Sequence, residues 1–133
     1  MQSADFGSHM DATLLLRSLT SDTRKPNLLV SCSDQFSEAV VGHLARSCVR
    51  PFRCCAFPGS LWLPHDKTGT LLLNGVNRMT LAQQIALYDW MNTHGDGPQI
   101  VSLTTTGLEP LVMEGAFLEG LFHRLNVVQL KAA

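Results

Sequence analysis

The sequence predicts an α/β domain, a three-layer sandwich in which a five-stranded parallel sheet lies between layers of helices. Three observations lead there. Five short apolar runs (NLLVS, PFRCCAF, TLLLN, QIVSL and NVVQL) lack the in-out alternation of a half-exposed strand, the mark of strands covered on both faces. Segments of helical period separate these runs, and strand–helix alternation sets the strands parallel through right-handed crossovers. The chain has 133 residues, 45% hydrophobic and 16% charged, a balance that suits one buried core and not a disordered chain.

The first ten residues, MQSADFGSHM, contain GSHM, which reads as an expression-vector scar ending at a native start, Met10. Residues 1–10 are therefore set aside, and a single domain is expected over 11–133. DATLLLRSL (Asp11–Leu19) reads as a short helix, and SDTRKPN as a polar loop. Asn27–Ser31 is the first strand, bounded by turn formers. QFSEAVVGHLARSC places Phe36, Val40, Val41, Leu44 and Cys48 at helical spacing. Pro51–Phe57 is the second strand, with Pro51 at its start, where a missing N–H is tolerated. PGSLWLPHDKTG is punctuated by proline and glycine and reads as loop.

The third strand is TLLLN, within Gly69–Val76. In the helix that follows, Thr80 is the N-cap, Leu81, Ile85, Leu87, Tyr88 and Met91 form the apolar face, and Gly95 is the stop. QIVSL is the fourth strand. LEPLVMEG and AFLEGLFHRL fit two short helices, and Asn126–Leu130 is the fifth strand. No internal repeat interrupts the pattern.

Composition excludes several classes. A formal net charge of −1 gives no overall field for nucleic acid or an anionic membrane, and Arg46, Arg50 and Arg53 form at best a small patch. No apolar run reaches the roughly 20 residues of a membrane span, and no signal peptide follows Met10, so a cytoplasmic location is expected. Cys32, Cys48, Cys54 and Cys55 lack ligand spacing; adjacent Cys54 and Cys55 on a strand point to opposite faces. His43, His65, His94 and His123 are scattered. No metal and no cofactor is expected, and the cysteines read as reduced thiols.

Three segments together carry a resemblance: LLVSCSDQFSEAVVGHLAR, GTLLLNGVNRMTLAQQIALYDWM and IVSLTTTGLEPLVMEGAFLEGLFHRLNVVQL. They resemble the AAA+ ATPase domain of sigma-54-dependent transcriptional activators, the sigma-54 interaction domain, over nearly all of residues 11–130. The resemblance implies a P-loop NTPase-like, AAA+-like fold. In that family the first strand leads into G-x-x-x-x-G-K-[ST], whose backbone wraps phosphates and whose lysine meets the β- and γ-phosphates. Here Cys32 and Ser37 fall at the glycines and Glu38 at the lysine, where a carboxylate would repel a polyphosphate. Glu38 instead suits the start of a helix. The family's acidic pair after the third strand, which serves Mg²⁺ and the attacking water, is replaced by Asn74 and Gly75.

Further departures follow. Thr105 sits at the polar sensor position that ends the fourth strand. Arg124, in LFHRLNVV, matches an arginine that in the family projects toward the nucleotide of the adjacent subunit, and Leu118 replaces an earlier arginine. The family's long insertion contacting the sigma factor is reduced to GSLWLPHDKT, and the helical lid and helix-turn-helix segment are not expected after Ala133.

These departures from the resembled family imply a degenerate, truncated core: a pseudo-ATPase expected to regulate by binding a protein, such as an AAA+ activator or another transcription component, as a monomer or small oligomer. The alternative is residual binding of a nucleotide or cyclic dinucleotide without hydrolysis, since a helix start after SCSDQFSE attracts anions, though Asp34 and Glu38 oppose it. An unrelated enzyme on the same fold has no triad, carboxylate pair or metal cluster behind it. Trp62 and Arg124 are the candidate partner or protomer contacts. Trp62, flanked by Leu61 and Leu63, marks a docking patch if exposed and core if buried; Arg124 can equally serve as packing and a helix-end cation. His65 and Asp66 read as a solvated turn.

Overall fold

The apolar runs become parallel strands because both faces of each are buried. The computed structural model describes residues 3–6, 25–94 and 97–132. Its strands are β1 (Ser3–Phe6), β2 (Leu28–Ser31), β3 (Phe52–Ala56), β4 (Thr70–Asn74), β5 (Gln99–Thr104) and β6 (Val128–Ala132). Its helices are α1 (Asp34–Ser47), α2 (Leu81–His94), α3 (Glu109–Met113) and α4 (Glu119–Leu125), and a 3-10 turn spans Val76–Arg78. The strand order is β1-β6-β2-β5-β4-β3, and every pairing is parallel.

TLLLN shows how the sheet sorts its side chains. Leu71 and Leu73 enter the core beneath α2 and α4 with Leu29, Leu87 and Leu121. Leu72, between them, points the other way and packs with Val30, Leu44, Val101 and Leu103 in the core beneath α1. All three leucines of β4 are fully buried, as a period of two in a strand covered on both sides requires.

Two expectations are corrected here. Residues 1–10 were expected outside the fold, but the backbone of Ser3–Phe6 pairs with the free edge of β6, Ser3 opposite Gln129 and Phe6 opposite Ala132. A strand edge is a row of unsatisfied N–H and C=O groups that any extended segment can pair with, whatever its side chains. All five expected strands are present, and Ser3–Phe6 adds a sixth at the edge. GSHM, the predicted helix over Asp11–Leu19 and the predicted stop at Gly95 lie outside the described residues.

The second correction concerns helix faces. Leu81 and Ile85 stand 48% and 51% exposed, and Phe36 of α1 is exposed as well. The buried stripe of α2 is Gln84, Leu87 and Met91. Gln84 belongs inside because its amide is fully used: its nitrogen donates to the carbonyls of Met79 and Ala116, and its oxygen accepts from the Leu118 N–H at 2.9 Å. One glutamine thereby ties α2 to the loop that leads into α4. The predicted cap is present, since Thr80 and Gln83 bond each other's backbone N–H at 3.1 Å, a reciprocal capping box.

Candidate functional site

In open parallel sheets, ligands bind beyond the carboxyl ends of the strands. Here the ends of β2, β4 and β5 converge. The Cys32 N–H donates to the Thr104 carbonyl, and the Gly75 N–H to the Leu103 carbonyl, both at 3.0 Å. The fold therefore does bring together Cys32, Asn74, Gly75 and Thr105, residues distant in sequence.

What it builds there is not a loop. Only Cys32 and Ser33 separate β2 from α1, which starts at Asp34. Ser37 and Glu38, at the glycine and lysine positions of the motif, lie inside the first turns of α1. The Ser37 hydroxyl bonds back to the Asp34 carbonyl at 2.9 Å. Of the backbone N–H groups at these positions, that of Cys32 is spent on the Thr104 carbonyl and that of Phe36 on the Ser33 carbonyl, each at 3.0 Å; the others open α1, where first-turn N–H groups have no helical partner. Cys32 is buried, and burial, with the Asp34 charge second, raises its thiol pKa; this is a packed thiol and not a nucleophile.

The space in front of α1 is crossed by an ion pair. Arg78, from the 3-10 turn after β4, reaches Asp34 at 3.3 Å. Both side chains are exposed, so the pair adds at most about 1 kcal/mol, but it places a guanidinium across the helix start. Beside it Asn77 holds Thr105: the Asn77 amide donates to the Thr105 hydroxyl at 3.2 Å and accepts from its N–H. Gly75, with φ of 87°, makes the turn out of β4 in a conformation that favours glycine. From the sequence Asp34 reads only as a charge opposing anions, and Asn77 and Arg78 are not singled out, since nothing local signals a contact spanning 44 residues.

Trp62 stands elsewhere, on the loop after β3, and is 54% exposed. It is held there from both sides. Its N–H and carbonyl both meet the Cys55 sulfur at 3.3 Å, and the Arg53 guanidinium lies 5.5 Å from its ring centroid. Arg53 also grips Asp66 through both nitrogens, at 2.9 and 3.3 Å. That hydrogen bond first, then those from the Thr68 N–H and hydroxyl, lowers the Asp66 pKa. Leu61 and Leu63 turn inward onto the core. Asp66 thus serves the loop through Arg53.

Arg124 lies at the opposite end of the sheet from Cys32. Its carbonyl accepts from the Asn27 amide at 2.9 Å, just before β2, and the rise along β2 separates that point from Cys32 by about 15 Å. Its guanidinium donates to the Met91 carbonyl and to Asn92 in the last turns of α2, where carbonyls lack helical partners and a cation is favoured. Replacing Arg124 by alanine is expected to destabilise the fold by about 1 kcal/mol, read as a Tm lower by a few degrees. An unchanged Tm would show the contact to be idle.

Among the described residues, no group of three His, Cys, Asp or Glu side chains could hold a metal ion. No described helix is long and apolar enough to cross a membrane.

No protein-family model and no curated protein sequence matches the chain. Solved structures do match. NtrX from Brucella abortus in complex with ATP superposes with a TM-score of 0.69 at 21% identity, over 94% of this chain and 36% of its own. The same protein in complex with ADP gives 0.68 at 22% identity, over 96% and 36%. A third NtrX structure gives 0.69 at 20%, over 94% and 36%. The likeness shows the fold alone: an α/β core with a parallel sheet, shared with part of the NtrX chain. This chain spans about a third of the NtrX chains it matches.

Proposed function

We propose that this chain is a non-catalytic regulatory protein on a degenerate AAA+-like core, which neither cradles nor hydrolyses ATP and acts in transcriptional regulation by binding another protein. The observation that carries this reading is the start of α1 at Asp34. The cradle positions are wound into helix, Glu38 stands in the lysine's place, and Asn74 and Gly75 stand in place of the acidic pair. The regulatory setting rests on the resemblance to sigma-54-dependent activators and on the shared core with NtrX. Trp62, exposed and braced by Arg53 and Cys55, is the proposed partner contact; Arg124, engaged by α2, serves the fold.

Geometry, more than side-chain identity, disables the site in this reading. The double variant Glu38→Lys, Asn74→Asp is therefore expected to release no phosphate from ATP above background, because a lysine on a helix does not rebuild a loop. Turnover by that variant would locate the lesion in the side chains and overturn the geometric argument. Saturable binding of ATP or a cyclic dinucleotide by the unaltered protein, without turnover, would favour a nucleotide-sensing module instead.

A further inference from the structure

The amino end of the sheet, opposite Cys32 and Gly75, holds a separate feature. An open cleft of about 1080 Å³ runs along the amino ends of the strands. Four entry segments line it: Lys25–Pro26 before β2, Gly97–Gln99 into β5, Lys67–Gly69 before β4, and Val49–Arg50 before β3. These strands are consecutive neighbours in the sheet. Three of the four segments contribute a cation, Lys25, Lys67 and Arg50, and none of the described lining residues is acidic.

Arg53 and Arg78 are taken by carboxylates, whereas Lys25, Arg50 and Lys67 make no ion pair among the described residues. The carboxylate next in sequence, Asp66, is gripped by Arg53 and faces Thr68. Three spacings between neighbouring strands set the outer cations about 14 Å apart. A single phosphate cannot span that, so the ligand carries several negative groups along its length.

None of the described lining residues of the cleft is aromatic, whereas an aromatic platform is the usual seat for single-stranded nucleic acid or a nucleotide; Trp90 and His94 line the smaller pocket that shares Lys25, Gly97 and Pro98 with it. Pro26 and Val49, both half-buried, instead offer apolar surface between the cations, which suits the methylene stems and backbone of a peptide. We propose that this cleft binds an extended acidic segment of a partner protein, with its carboxylates on Lys25, Lys67 and Arg50. The inference rests on the binding-protein reading for the kind of partner only: ATP turnover would sink that reading without touching the cleft, and an empty cleft would leave that reading standing.

The test is fluorescence anisotropy of a labelled poly-glutamate peptide with the full chain, at low and at physiological salt. The expected result is saturable binding that weakens as salt rises. Lys67→Glu is expected to weaken it roughly tenfold, since a like charge now faces the ligand, and the triple reversal with Lys25→Glu and Arg50→Glu to abolish it. Lys131→Glu, at the far end of β6, should leave binding unchanged, and circular dichroism confirms that each variant is folded. Because the chain's net charge is −1, general attraction does not account for such binding. No binding at low salt, or equal loss with Lys131→Glu, would overturn the proposal. So would tripolyphosphate or a short single-stranded DNA binding where the peptide does not.

Discussion

Replacing Gln84 by alanine lowers stability by about 3 kcal/mol, although periodicity alone would not have placed this residue in the core. The side chain is 1% exposed and satisfies three backbone groups, on Met79, Ala116 and Leu118. Truncation opens a cavity and strands buried polar groups, each costing about 1–3 kcal/mol when unpaired. In a domain of this size the loss corresponds to a Tm lower by about 10 °C. Gln84→Leu separates the causes. It refills the space yet leaves the same groups unpaired, so it too destabilises. A leucine variant more stable than the parent would mean that packing, not the bridge, governs this site.

Gly69→Ala is expected to be at least as damaging, by about 3 kcal/mol or more. Gly69 has φ of 85°, and a Cβ there would sit 2.1 Å from the Pro51 carbonyl oxygen and 2.8 Å from the Pro51 nitrogen. Those atoms are backbone, and the same oxygen accepts the Thr70 N–H at 3.0 Å, so relief means shifting the paired entries to β3 and β4. Gly115 provides the comparison: φ is 78°, but a Cβ would meet nothing within 4 Å. Gly115→Ala should therefore show only the conformational cost, about 1–2 kcal/mol. Equal losses at the two positions in urea denaturation would show that the clash adds nothing.

How much was legible in the sequence follows from which interactions leave a local trace. Burial on both faces does, so TLLLN and its companions read as parallel strands, and the strands fall within about two residues of where their apolar runs placed them. A cap made by Thr80 and Gln83 leaves a trace too. Edge pairing does not: the backbone of Ser3–Phe6 pairs with β6 in a register that no sequence pattern announces. The α2 stripe misled because Leu81 and Ile85 share the helical spacing of a core face while a satisfied glutamine occupies the core itself. At the candidate site, the residue types at Cys32, Ser37, Glu38, Asn74 and Gly75 were legible. The helix from Gln35, with Glu38 near its start, was legible as well; the Asp34–Arg78 pair was not, being a long-range contact. Lys25, Arg50 and Lys67 are scattered in sequence and become a cluster only because each precedes a neighbouring strand.

The proposed function requires that the carboxyl end of this sheet takes no nucleotide. Calorimetric titration of the protein with ATP in the presence of Mg²⁺, followed by ADP and a cyclic dinucleotide, tests it most directly, with phosphate release monitored in the same samples. The account predicts flat traces and no release. Saturable heat accompanied by phosphate release would contradict it, and would mean that α1 unwinds at Asp34–Glu38 to make the loop this structure lacks.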